Sequence, residues 1–146
     1  MRQPATERQF NYDHFINREL SLLQFQRRVL AQAADPSVPL LERLRFLCIV
    51  SSNLDEFFEV RVAGVKEQMR LGSVVTTTDG LTPSALHGRI SREVHGIISE
   101  QYNLLNNTIL PALAQEGIVF LRRSVWTDAQ HLWAREYFMR EVMPIL

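Results

Sequence analysis

The side chain best equipped for recognition in this sequence is the amide of Asn53. An amide carries a donor and an acceptor side by side, which is what an adenine edge or a carbonyl-rich ligand asks for. Asn53 also stands three residues before Glu56, at the head of Leu54-Asp55-Glu56-Phe57-Phe58. That pattern would cap a helix restarting after a break or kink at Ser51-Ser52-Asn53. Spacing leaves cap and ligand contact both open, and the two roles are compatible. Other groups offer less. Asp55 and Glu56 are adjacent and diverge on a helix, so we read them as helix-start charges facing the dipole. None of the four histidines, His14, His87, His95 and His131, lies three or four residues from another. No helical metal pair results, and each reads as a surface or cap histidine. Cys48, the single cysteine, sits in the apolar run Phe46-Leu47-Cys48-Ile49-Val50 and reads as a buried, inert thiol. It excludes an internal disulfide and a multi-thiolate zinc site. The six glycines are scattered, without a phosphate-cradling loop or a dinucleotide fingerprint, and no nucleophile elbow is present.

These groups are carried by a chain of 146 residues and 16.9 kDa, enough for one compact domain or one domain plus a fragment of another. Hydrophobic residues make up 46% and charged residues 22%, values that argue against wholesale disorder. Lys plus Arg is 16 and Asp plus Glu is 16, so the basic excess usual in nucleic-acid binders is missing. Lys66 is the only lysine, and we give this arginine bias almost no functional weight. The sequence opens with no signal peptide, and no apolar run approaches the roughly 18 residues of a membrane span. The expectation is a cytoplasmic, soluble protein.

The periodicity is helical. Residues 1–13 are polar and read as a flexible arm. Ser21 and Gln24 form a capping-box pattern, with Leu20 able to staple against Phe25. Leu22, Phe25 and Val29, flanked by Leu23 and Leu30, then give an apolar face. Asp35-Pro36 ends it. Pro39 opens a second helix whose face is Leu40, Leu44, Leu47 and Cys48; after the interruption at Asn53 the signal runs to Leu71, where Gly72 stops it. Thr82-Pro83 starts a third, with Leu86, Ile90, Val94, Ile97, Gln101 and Leu104 as its stripe. Gly117 closes it. Ile118-Val119-Phe120-Leu121 reads as a short strand, and Thr127 caps a last helix carrying Leu132, Trp133, Tyr137 and Phe138. A strand and a helix ending in the apolar Val142-Met143-Pro144-Ile145-Leu146 suggest a second domain cut short. The expected fold is all-α: an antiparallel three-helix bundle, spectrin-repeat-like, over residues 14–116. A strand-helix fragment of a truncated α/β head domain follows over 117–146.

The run Phe15-Ile16-Asn17-Arg18-Glu19-Leu20-Ser21, then Phe25 and Arg27-Arg28-Val29-Leu30, resembles the opening of the bacterial polyphosphate kinases. Pro39 to Leu47, Ser51 to Phe58 and Val60 to Lys66 continue the likeness, which covers most of residues 15–70. The resemblance implies an enzyme that reversibly transfers the terminal phosphate of ATP to inorganic polyphosphate. It implies a phosphohistidine and assisting magnesium, both in C-terminal domains, and a homo-oligomer formed through the head domain. This fragment alone would then be inactive, with no catalytic or metal residue. The resemblance also assigns Asn53 as a contact to the adenine part of ATP, with Leu54, Phe57 and Phe58 available for apolar packing. Three positions depart from the family's habit. Leu22 stands where Trp is common, Gln26 where Asn is common, and Glu59 where an apolar residue is usual. We expect the first two to affect helix packing and Glu59 to affect the rim of the site. The competing reading is a non-catalytic helical module that docks on other domains or a partner subunit.

Overall fold

The computed structural model describes residues 11–146, so most of the arm expected at 1–13 lies outside the described residues. Among the described residues every regular element is helical. Two compact units divide the chain, one up to Ile109 and one from Leu110 on.

In the first unit, α1 spans Arg18–Ala34. It starts one turn earlier than the Ser21 pattern predicts, because Asn17 is the cap: its Oδ1 accepts from Leu20 N at 3.1 Å. The same amide donates from Nδ2 to Asp79 Oδ1 at 3.0 Å, so a tertiary partner selects Asn17 over Ser21. The buried stripe is Leu23, Gln26, Leu30 and Ala33, rotated by one position from the expected face. Leu22 and Phe25 are therefore left at the side of the helix.

The second helix does not break. α2, Leu40–Glu56, passes through Ser51-Ser52-Asn53 into a π-helical segment, Phe57–Val62, and then α3, Ala63–Arg70. Polar residues disrupt a helix when they compete for their own backbone. Here their side chains are engaged by other helices: Ser51 Oγ accepts from Gln101 Nε2 at 2.6 Å, and Asn53 Nδ2 donates to Gln26 Oε1 at 3.0 Å. Asn53 lies inside the helix and is not a cap. The buried stripe runs Leu47, Val50, Leu54 and Phe57, then jumps five residues to Val62 and Val65. The π-helical turn supplies that extra residue, bringing Val62 to the core and leaving Val60 and Arg61 at the side. Cys48, expected buried, is exposed, because the stripe passes through Leu47 and Val50 instead.

Gly72, at φ +65, ends α3 in a Schellman closure, with Ser73 N donating to Gln68 O and Gly72 N to Met69 O. The loop to α4 is tied down at Asp79, which accepts from Thr77 Oγ1 and from Asn17. Burial pushes the Asp79 carboxyl up, but these hydrogen bonds and the charge of Arg89 leave it below its ordinary value. A lowered carboxylate contributes stability that is present above its unfolded pKa and lost as pH falls through the folded one. Asp79→Asn is expected to lower the melting temperature at pH 7. The gap from wild type should narrow as pH falls through the lowered folded pKa of Asp79, a comparison that thermal scans into the acid range would make.

α4, Pro83–Leu104, begins as anticipated: Thr82 Oγ1 accepts from Ala85 N at 3.2 Å, and proline takes the first turn. Its stripe Leu86, Ile90, Val94, Ile97 and Gln101 is buried throughout. A second π-helical segment, Leu105–Ile109, ends this unit. α1 packs on both α2 and α4, and α3 packs on α4. Ala33 meets Arg43 and Gln26 meets Asn53, so α1 and α2 run in opposite directions. Arg27 reaches from α1 to Glu93 at 3.2 Å and Glu100 at 3.3 Å on α4, crossing beside Gly96, where a Cβ would stand 3.0 Å from its guanidinium.

The second unit holds α5, Leu110–Gln115, and α6, Asp128–Tyr137. Gly117, at φ +80, closes α5, with Ile118 N donating to Leu113 O. The strand expected at Ile118-Leu121 does not form. A strand needs a partner for its ladder, and among the described residues no segment pairs with this one. Thr127 caps α6 as expected, in a reciprocal box with Gln130.

Candidate functional site

The rotation of α1 and the π-helical turn act on the same place. With Gln26 drawn into the buried stripe, Leu22 and Phe25 flank it on the side facing α2. The widened turn brings Val60 and Arg61 round to the same side. Together with Asn53, Glu56 and Phe57 they line an open cleft of about 320 Å³. Its walls are apolar, from Leu22, Phe25, Phe57 and Val60, and its polar groups are the Gln26–Asn53 pair, Glu56 and Arg61. One acid and one base at the rim give the cleft no net formal charge. π-helical turns of this kind recur at functional sites because they redirect side chains without breaking the helix.

Asn53 is half-buried, and the one hydrogen bond of its side chain among the described residues is that to Gln26. Gln26 is 7% exposed. Asn53 therefore keeps Oδ1 and its second Nδ2 hydrogen for a ligand. Asn53 lines the cleft together with Phe25, itself 46% exposed.

The other residues singled out in the sequence separate here. Leu54 is buried in the core, Phe57 is buried but lines the cleft, and Phe58 is 41% exposed and lies outside the lining. Glu59 does not line the cleft either, whereas Leu22 and Gln26, expected to matter only for helix packing, both do. Asp55 is exposed, and Glu56 points to the cleft rim. His95 Nδ1 pairs with Ser91 O at 2.6 Å and His131 packs edge-on to Trp126. No group of three or more His, Cys, Asp or Glu side chains that could hold a metal occurs among the described residues. Nor is any helix among them long and apolar enough to cross a membrane. Periodicity alone misses the role of Gln26, although one signal points to it: a polar residue three after Leu23 and four before Leu30, inside an apolar stripe.

Residues 15–121 match the model of a family described as the polyphosphate kinase N-terminal domain. The chain belongs to that family. It is 53% identical over 131 residues to polyphosphate kinases of Burkholderia multivorans and Burkholderia vietnamiensis, and 51% identical to that of Paraburkholderia phytofirmans. In each case the alignment covers 90% of this chain and 19% of the relative, so the chain spans about a fifth of those kinases. Among solved structures it is similar to the polyphosphate kinase of Porphyromonas gingivalis, with a TM-score of 0.71 and 30% identity. That likeness covers 90% of this chain and 18% of the other.

Proposed function

We propose that this chain is the N-terminal, antiparallel three-helix domain of a polyphosphate kinase, and that its cleft receives the adenine part of ATP. The whole enzyme transfers the terminal phosphate of ATP to inorganic polyphosphate reversibly. Its phosphohistidine and its magnesium ligands lie in other domains, and this chain alone is inactive. The cytoplasm is its expected compartment. One observation carries this reading: the Asn53 amide, held by Gln26 at 3.0 Å, opens into a slot walled by Phe25, Leu22 and Val60. A volume of about 320 Å³ stands at the small end of ligand pockets, enough for a purine base while the triphosphate extends to other domains. Arg61 is the one cation at the rim, too little to hold a triphosphate by itself.

The docking alternative has its own support, in the second unit. Leu132, Trp133, Met139 and Ile145 are largely exposed there, a surface that another domain or a second subunit could cover.

The test is Asn53→Ala in the full-length enzyme that carries this domain. A good bidentate base contact is worth about 1–3 kcal/mol, so the apparent ATP affinity should fall about tenfold or more. The change also leaves Gln26 Oε1 without its partner, so a melt lowered by about 1–3 kcal/mol is expected as well, and the ATP dependence is the readout that decides. A lowered melt with unchanged ATP dependence would favour the docking module.

A further inference from the structure

We infer that Glu56 holds the ribose of the nucleotide, accepting hydrogen bonds from its 2′ and 3′ hydroxyls. The inference rests on the adenine reading of the cleft and carries it from the base to the sugar.

The polar groups of the cleft stand in an order. On the α2 side the first lining residue is Asn53, followed by Glu56 and, across the π-helical turn, by Arg61. α1 runs the opposite way, so Gln26 lies across from Asn53 and Leu22 lies further along, toward the π-helical end. The cleft thus extends from Asn53 in one direction, past an amide, then a carboxylate, then a guanidinium. A nucleotide presents its parts in the matching order: a base edge, hydroxyls that donate, and anionic phosphate. Asparagine reads adenine at N6 and N7. N7 belongs to the five-membered ring whose N9 carries the ribose, so the sugar leaves the base close to Asn53. Glu56 stands three residues on, the spacing that puts two side chains on neighbouring positions of one helix face. The reverse assignment fails on charge, since a carboxylate repels phosphate, whereas the forked donors of Arg61 suit it.

Both charged groups are available for this task. Glu56 is exposed and Arg61 half-buried, and neither side chain makes an ion pair or hydrogen bond among the described residues. Elsewhere on these helices an acid and an arginine three apart do pair, Glu42 with Arg45 and Glu67 with Arg70. Glu56 and Arg61 are five apart, and the π-helical turn brings them to one cleft without closing a pair between them. A carboxylate is also the group that holds ribose in dinucleotide sites, and its charge strengthens the bonds it accepts.

The experiment compares wild type, Glu56→Met, Glu56→Gln and Asn53→Ala in the full-length enzyme, reading kcat/KM for ATP against 2′,3′-dideoxy-ATP and the melting temperature of each. Wild type should prefer ATP about tenfold or more. In Glu56→Met that preference should collapse toward one through loss of the ATP rate, and Glu56→Gln, which keeps a neutral acceptor, should retain part of it. Removing a negative charge near the triphosphate acts on both nucleotides alike and cancels in the ratio. The melt of both residue-56 variants should hardly move, because the position is exposed. A wild type that uses the two nucleotides equally well would overturn the inference, as would a Glu56→Met variant that lowers both in proportion. If Asn53→Ala leaves kcat/KM for ATP unchanged, the adenine reading fails and the sugar contact falls with it. If Asn53→Ala lowers it while Glu56→Met keeps the wild-type ratio, the adenine reading stands and the role of Glu56 does not.

Discussion

Replacing Ile97 with alanine lowers the melting temperature of this chain by about 10 °C or more, while the same change at the next residue, Ile98, leaves it nearly unmoved. Ile97 is fully buried on the stripe of α4, three residues from Val94 and four from Gln101, whereas Ile98 is 38% exposed. Truncating a buried isoleucine removes its transfer free energy and leaves a cavity, about 2–5 kcal/mol in all. A domain of about 60–100 residues loses roughly 4–8 °C per kcal/mol. Total stabilities lie at about 5–15 kcal/mol, so this one change removes a large share. Exposed positions move stability by about 0.5 kcal/mol or less. Thermal scans of the two variants decide the matter, and equal losses at 97 and 98 would contradict the placement of the core.

The second large effect is at Arg43. The last carbonyls of a helix have no intrahelical donor. Ala33, near the end of α1, is in that position: the N–H four residues on, of Ser37, is taken by Asp35 Oδ1 at 2.8 Å. Arg43 fills the gap. Its Nε donates to Ala33 O at 2.8 Å from the first turns of α2, and its residue is only 9% exposed. The guanidinium therefore locks the α1–α2 corner from within. Arg43→Met keeps most of the apolar stem but removes the charge-assisted bond and orphans the carbonyl, at a cost of about 1.5–3 kcal/mol. Arg45→Met is the control: Arg45 is exposed and pairs with Glu42 at 3.6 Å, a surface contact worth a few tenths of a kcal/mol. Urea titration of the two variants should separate them clearly.

What can be read in the sequence follows a physical division. The α4 stripe is legible because five apolar or amide positions at helical spacing leave one solution, and Thr82-Pro83 announces its start through local chemistry alone. Gly72 and Gly117 are legible for the same reason, since a helix end at positive φ calls for glycine. The differences all involve partners distant in sequence. Asn17 outcompetes Ser21 as a cap because Asp79 takes its other hydrogen. α2 continues through Ser51 and Asn53 because Gln101 and Gln26 occupy their side chains. Cys48 leaves the core because the stripe turns by one position. At Ile118-Leu121, β-branched composition suggests a strand, but a strand exists only with a neighbour to pair with. Asn53 itself stands out through its amide chemistry and the family resemblance. The cleft around it is not legible, because its shape depends on a π-helical turn that no local signal marks.

The central claim is that the cleft between α1 and the α2–π segment receives the base of ATP. The most direct measurement is photolabelling of the full-length enzyme with 8-azido-ATP, followed by mapping of the labelled peptides. The azide sits on the purine, so its nitrene reacts with whatever walls the base. Label is expected on peptides containing Leu22, Phe25 and Gln26 or Asn53 to Arg61, and an excess of ATP should suppress it. Label confined to peptides outside this domain, equally suppressed by ATP, would contradict the account.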